Sequence, residues 1–172
     1  AKEVWVGLAP FAAHAGKIYP EEKMRDLIAL LNQRHPSWRF FLFGGGGRER
    51  DRLMAWAEPF PKTQCVGTLL HSLDEELILM SRLDAMVSMD SANMHLASVV
   101  GTPVVSVWGA THPFAGFMGW GQPAENAIQV EDLPCRPCSV YGNTPCLRGD
   151  FACMAGIAPE RIVKRIEEIV AK

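Results

Sequence analysis

Apolar residues along this chain alternate between two spacings. Short, nearly unbroken apolar runs occur at residues 4–9 (VWVGLA), 38–43 (WRFFLF), 84–89 (DAMVSM) and 104–109 (VVSVWG). Such runs mark strands covered on both faces. Residues 63–66 (TQCV) and 127–130 (AIQV) read as two weaker strands. Between the strands the apolar positions move to helical spacing. Met24, Leu27, Ile28 and Leu31 make one stripe, opened by Pro20 and two Glu and stopped by Pro36. Residues 48–58, 73–83 and 92–100 predict three more helices, the last capped by Gly101. In residues 159–171 a capped amphipathic helix carries Ile162, Val163, Ile166, Ile169 and Val170 on one face.

Strand and helix therefore alternate about six times. That pattern predicts an α/β fold, a Rossmann-like doubly wound parallel sheet in a single domain over residues 1–172. A cysteine-rich loop is expected at residues 134–153. Sheets of this class bind ligands beyond the carboxyl ends of their strands. The stretch DSANMHLASVVGTPVVSVWGATHP, residues 90–113, lies at such an end. Asp90 closes one strand, and Ser91, Ala92 and Asn93 open the next helix. A helix N-terminus presents free N–H groups and favours phosphate. Small residues at 91 and 92 let an anion approach the backbone. Asp90 suits ligand hydroxyls, and His95 lies one turn further on. The competing reading is an ordinary Asp or Ser N-cap with a surface histidine.

Residues 89–113 (MDSANMHLASVVGTPVVSVWGATHP) resemble the C-terminal signature of the glycosyltransferases that include the lipopolysaccharide heptosyltransferases. The segment GKIYPEEK and the glycine loop before Glu49 are similar to two further motifs of that family. The resemblance covers essentially the whole chain and only the C-terminal half of such an enzyme. It implies a GT-B architecture with the active site between two Rossmann-like halves. By motif, Lys17 would contact the diphosphate, together with Ser91, Ala92 and the adjoining backbone. Asp90 would hold sugar hydroxyls and His95 the phosphates. Glu49 would face the ribose, and backbone near His71 would border the base. Two departures stand out: Ala92 replaces the family's usual Gly, and Ala12 and Ala13 replace hydroxyl residues. The donor implied is ADP-heptose with no cofactor required, and the acceptor a lipopolysaccharide core reached through the other half. The catalytic base would lie in that other half, so this chain alone is expected to be inactive.

Composition narrows the alternatives. A net charge of −2 gives no footprint for nucleic acid or an anionic membrane. No apolar run approaches the ~18 residues of a membrane span, so no transmembrane segment is expected. The chain lacks an initiator Met and a signal peptide. It is expected to be a fragment of a cytoplasmic protein, peripheral at the inner membrane when whole. Gly44 to Gly47 read as a permissive turn, because they follow the second strand and lack dinucleotide-fingerprint spacing. Glu49 alone would suit the positive end of a helix. His14, His35, His71 and His112 form no metal set by spacing, and no metal ligands are assigned. His112, after another strand end, is a possible neighbour of the cleft. Cys135, Cys138, Cys146 and Cys153, spaced x2, x7 and x6, suit structural zinc, reduced packed thiols or disulfides. Two other functions fit parts of the pattern: a UDP-sugar epimerase-like enzyme, and a zinc-stabilised binding module.

Overall fold

All six expected strands form, and all pair in parallel. They are β1 (Trp5–Ala9), β2 (Arg39–Leu42), β3 (Thr63–Cys65), β4 (Ala85–Met89), β5 (Val104–Val107) and β6 (Ala127–Ile128). A computed structural model describes residues 3–172 and orders the strands β3-β2-β1-β4-β5-β6. Helices follow as α1 (Glu21–Arg34), α2 (Arg48–Ala57), α3 (Leu73–Met80), α4 (Ala92–Val99), α5 (Ala152–Ala155) and α6 (Pro159–Val170).

Because strand side chains alternate faces, the sheet builds two apolar layers. Val6 and Leu8 of β1 and Val87 and Met89 of β4 pack in one layer with α1, α2 and α6. Phe41 and Met86 pack in the other with Met80, Met94 and Ala97. The fully buried β4 runs through the middle, so its exit at Asp90 opens near the centre of the sheet edge.

Several boundaries differ from the sequence pattern. The third helix stops at Met80 rather than Leu83, where the Ser81 hydroxyl donates back to the Ile78 carbonyl. The last strand keeps only two residues. Beyond it the Gln129 and Val130 carbonyls accept from Arg161 and Arg136 side chains. The cysteine-rich segment is not loop throughout. Its end forms α5, which sends Cys153 and Met154 into the core. All five cysteines are free. Among the described residues, no group of three or more His, Cys, Asp or Glu is arranged to hold a metal. Nor is any described helix long and apolar enough to cross a membrane.

Where β5 ends, its chain lies flush against the loop after β1. The Gly16 carbonyl accepts the Ala110 N–H at 2.9 Å. A Cβ at Gly109 would sit 2.6 Å from the Gly16 oxygen and 2.7 Å from the Met154 side chain. Gly109→Ala should therefore destabilise the fold by about 1–3 kcal/mol through overpacking. Denaturant unfolding checks this, and an unchanged midpoint would refute it.

Candidate functional site

Strands β1 and β4 are neighbours, yet the chain leaves them in opposite directions. From β1 it turns to α1 and β2; from β4 it turns to α4 and β5. Such a divergence opens a crevice at the carboxyl edge of the sheet. Lys17, at the end of a short 3-10 turn after β1, and Asp90, just past β4, meet across it. Lys17 Nζ lies 2.9 Å from Asp90 Oδ2, and their side chains are 16% and 4% exposed. The buried Thr111 hydroxyl donates to the same oxygen at 2.9 Å. Two donors compensate a carboxylate that has been taken almost wholly out of water.

Next to this pair begins α4. Ser91 occupies its N-cap, but the side chain makes no capping bond and sits 3.3 Å from the Ser88 hydroxyl. The Asp90 carboxylate is engaged by Lys17 and Thr111 instead. The simple capping explanation for this Asp-Ser pair thus lacks its bond. The first turn of a helix has N–H groups with no partner inside the helix. Here that turn borders a cleft of about 540 Å³, lined by Ser91, Ala92, Asn93 and His95. Ala12 and Ala13 line it as well.

The cleft extends on the β2 side to Gly44, Gly45, Glu49 and Phe11. Glu49 is the second residue of α2, and its carboxylate accepts the Gly45 N–H at 2.7 Å. The carboxylate therefore orders the glycine loop and suits the positive end of its helix. Six of the seven residues that the resemblance marks as donor contacts share this one cleft: Lys17, Glu49, Asp90, Ser91, Ala92 and His95. His71 does not line it. Its N–H donates to Glu75 at 2.8 Å, beside the Ser72–Glu75 capping box of α3. His112 is also absent from the lining, since its Nδ1 accepts the Phe114 N–H in the next turn.

Several contributors escaped the sequence reading. Phe11, Phe117 and Tyr141 line the cleft, and Asn93, expected there through its backbone, lines it too. Thr111 belongs to the GATHP motif, but its bond to Asp90 depends on β4 and β5 lying side by side. Arg136, hidden in the cysteine-rich segment, binds the Gly109, Val130 and Thr111 carbonyls at 2.6, 2.6 and 3.0 Å. It also donates to the Gln129 side chain at 3.0 Å. Its planar fork ties the segment to the ends of β5 and β6 and fixes the backbone that carries Thr111. No spacing rule announces an arginine of this kind.

The thiols in this segment differ. Backbone N–H groups of Phe151, Gly149 and Arg148 hold Cys146 below its ordinary pKa, outweighing partial desolvation. Burial pushes Cys65 and Cys153 above theirs.

Residues 1–145 match the family described as glycosyltransferase family 9 (heptosyltransferase). The chain is 27% identical over 168 residues to lipopolysaccharide heptosyltransferase 1 of Pseudomonas aeruginosa, covering 90% of this chain and 44% of that protein. It therefore spans less than half the length of this curated relative. Among solved structures, ADP-heptose lipopolysaccharide heptosyltransferase II of E. coli superposes with a TM-score of 0.73 at 19% identity. That match covers 98% of this chain and 47% of the other. An E. coli heptosyltransferase solved with ADP-2-deoxy-2-fluoro heptose gives 0.70 at 22% identity, over 96% and 43%. At these identities the structural matches establish the fold.

Two outcomes test this geometry. Arg136→Met strands three backbone carbonyls and should cost more than about 2 kcal/mol, read from urea unfolding. Arg136→Lys should recover only part, because an ammonium cannot reproduce the planar fork. Iodoacetamide near neutral pH should alkylate Cys146 before Cys65 or Cys153, since the thiolate is the reactive form. Peptide mass spectrometry reads the order, and earlier labelling of either buried thiol would contradict it.

Proposed function

The chain belongs to glycosyltransferase family 9, the heptosyltransferases, and from that premise we propose that it is the donor-binding half of a two-domain, inverting transferase. Its donor is ADP-heptose and its acceptor a lipopolysaccharide core precursor. The observation that carries the reading is the Lys17–Asp90 pair beside the uncapped first turn of α4, within one cleft. A cation and a helix N-terminus together suit a diphosphate. Both donors to Asp90 use Oδ2, so Oδ1 is not engaged by either and suits a sugar hydroxyl. Glu49, on the β2 side of the cleft, suits the ribose. His95, one turn into α4, reaches the same anion as Ser91 and Ala92. His71 lies off the cleft, so a role beside the base falls to its backbone at most.

In the reaction, the acceptor hydroxyl attacks the anomeric carbon from the face opposite the diphosphate. The new C–O bond forms as the bond to the phosphate oxygen breaks. A base from the other half takes the hydroxyl proton, and ADP departs with the bonding pair. Lys17 and the α4 N-terminus stabilise the charge that develops on it, without a metal ion. Because the base belongs to the other half, this chain alone binds donor and turns over poorly.

Calorimetric titration with ADP, UDP and ADP-heptose tests the assignment. ADP should bind more tightly than UDP, and the attached sugar should strengthen binding. Asp90→Asn and Lys17→Met should each weaken ADP-heptose by about tenfold or more, as losing a charge-assisted bond does. Equal affinity for ADP and UDP, or full affinity in both variants, would count against the reading. If the chain binds no nucleotide, the same titration on the two-domain enzyme decides, and a second failure ends the proposal.

A further inference from the structure

The cysteine-rich segment has no part in the reading above, yet its tip reaches the donor cleft. Tyr141 and Phe117 line the cleft with ring centroids 5.9 Å apart and planes inclined by 55°; both come from chain that follows β5, whereas Glu49 follows β2 on the other side of the central strands. The tip is a tight turn: the Gly142 N–H donates to Ser139 Oγ at 2.8 Å, and that hydroxyl lies 3.2 Å from Asn143 Oδ1. Gly142 is buried against the aliphatic stem of Lys17. A Cβ there would lie 2.7 Å from Lys17 Cγ, and the residue has φ +78°. A side chain at 142 would therefore collide with the stem in a backbone conformation that glycine adopts freely. The close fit ties the tip to the Lys17 stem, and Tyr141, the residue before Gly142, lines the same cleft as Lys17 and Asp90. Below the tip, the Cys138 and Ser139 N–H groups donate to the Ala110 carbonyl, and Arg136 fastens the base of the segment.

Resting on the donor-domain reading, we infer that Tyr141, with Phe117 behind it, is a specificity-determining wall for the transferred sugar. The ribose end is taken by Glu49 and the diphosphate by Lys17 and α4, so the sugar extends toward β5. A pyranose ring has hydroxyls at its edge and C–H groups on its faces. Asp90 engages the edge, and an aromatic face in the same cleft packs against the C–H groups while excluding water. Tyr141 suits this task because it is 59% exposed. Most of its ring is available to a ligand, and its removal leaves no hole in the core. The nucleotide does not reach it, so its contribution appears only when the sugar is present.

The test titrates the chain and its Tyr141→Ala, Tyr141→Leu and Tyr141→Phe variants with ADP and with ADP-heptose. Alanine and leucine should weaken ADP-heptose about tenfold while ADP changes less than about twofold, and phenylalanine should retain sugar-dependent affinity. Thermal midpoints should match across the set. An unchanged ratio of ADP-heptose to ADP affinity in the alanine variant overturns the inference. So does an equal loss for both ligands, which marks a merely structural role. Failure of the unsubstituted chain and of the two-domain enzyme to bind either ligand sinks the donor reading, and this inference with it.

Discussion

A carboxylate almost without water must be satisfied by its neighbours, and Asp90 draws three parts of the fold together to do so. Lys17 arrives from the exit of β1, Thr111 from the exit of β5, and Asp90 itself ends β4. These exits are adjacent only because the sheet is ordered with β1 beside β4 and β4 beside β5. The pair is thus a product of topology rather than of local sequence. In return it fixes where the loop after β1 can lie. Removing either partner leaves the other charge without its main compensation.

Much of this was legible in the residues. Unbroken apolar runs such as 38–43 fixed the strands, and the stripe from Met24 to Leu31 fixed α1. The position of Asp90 at a strand end followed from the same pattern. Strand order was not legible, because periodicity says which face is buried and nothing about which strand is adjacent. Arg136 and Thr111 were missed for that reason. Their partners are carbonyls 6 to 27 positions away and a carboxylate 21 positions away, brought together once the sheet is assembled. His71 shows the opposite limit. A family motif marked its neighbourhood, but the local capping box of α3 takes its N–H.

The cysteine-rich segment invites a reading from its cysteines, and its other residues prove more informative. One arginine spans four acceptors, and one glycine fits against a lysine stem. Cys153 serves as a small apolar side chain in the core. Such a segment needs no regular structure to be well placed, since side-chain bonds to strand-end carbonyls hold it where ladder bonds stop. Arg161 reinforces it from α6 through the Gln129 carbonyl.

The pairing of β1 with β4 has a kinetic consequence. Val6 lies beside Ala85, so the central ladder of the sheet joins segments far apart in the chain. Contacts of such long range form late, because the entropy of closing the loop must be met before the contacts reward it. Strands β2 and β3 and three helices occupy the intervening chain. β1, α1 and β2 alone supply one wall of the cleft and lack the other, which β4 and α4 provide. The crevice exists only where β4 lies paired with β1, so ligand affinity is a property of the assembled sheet.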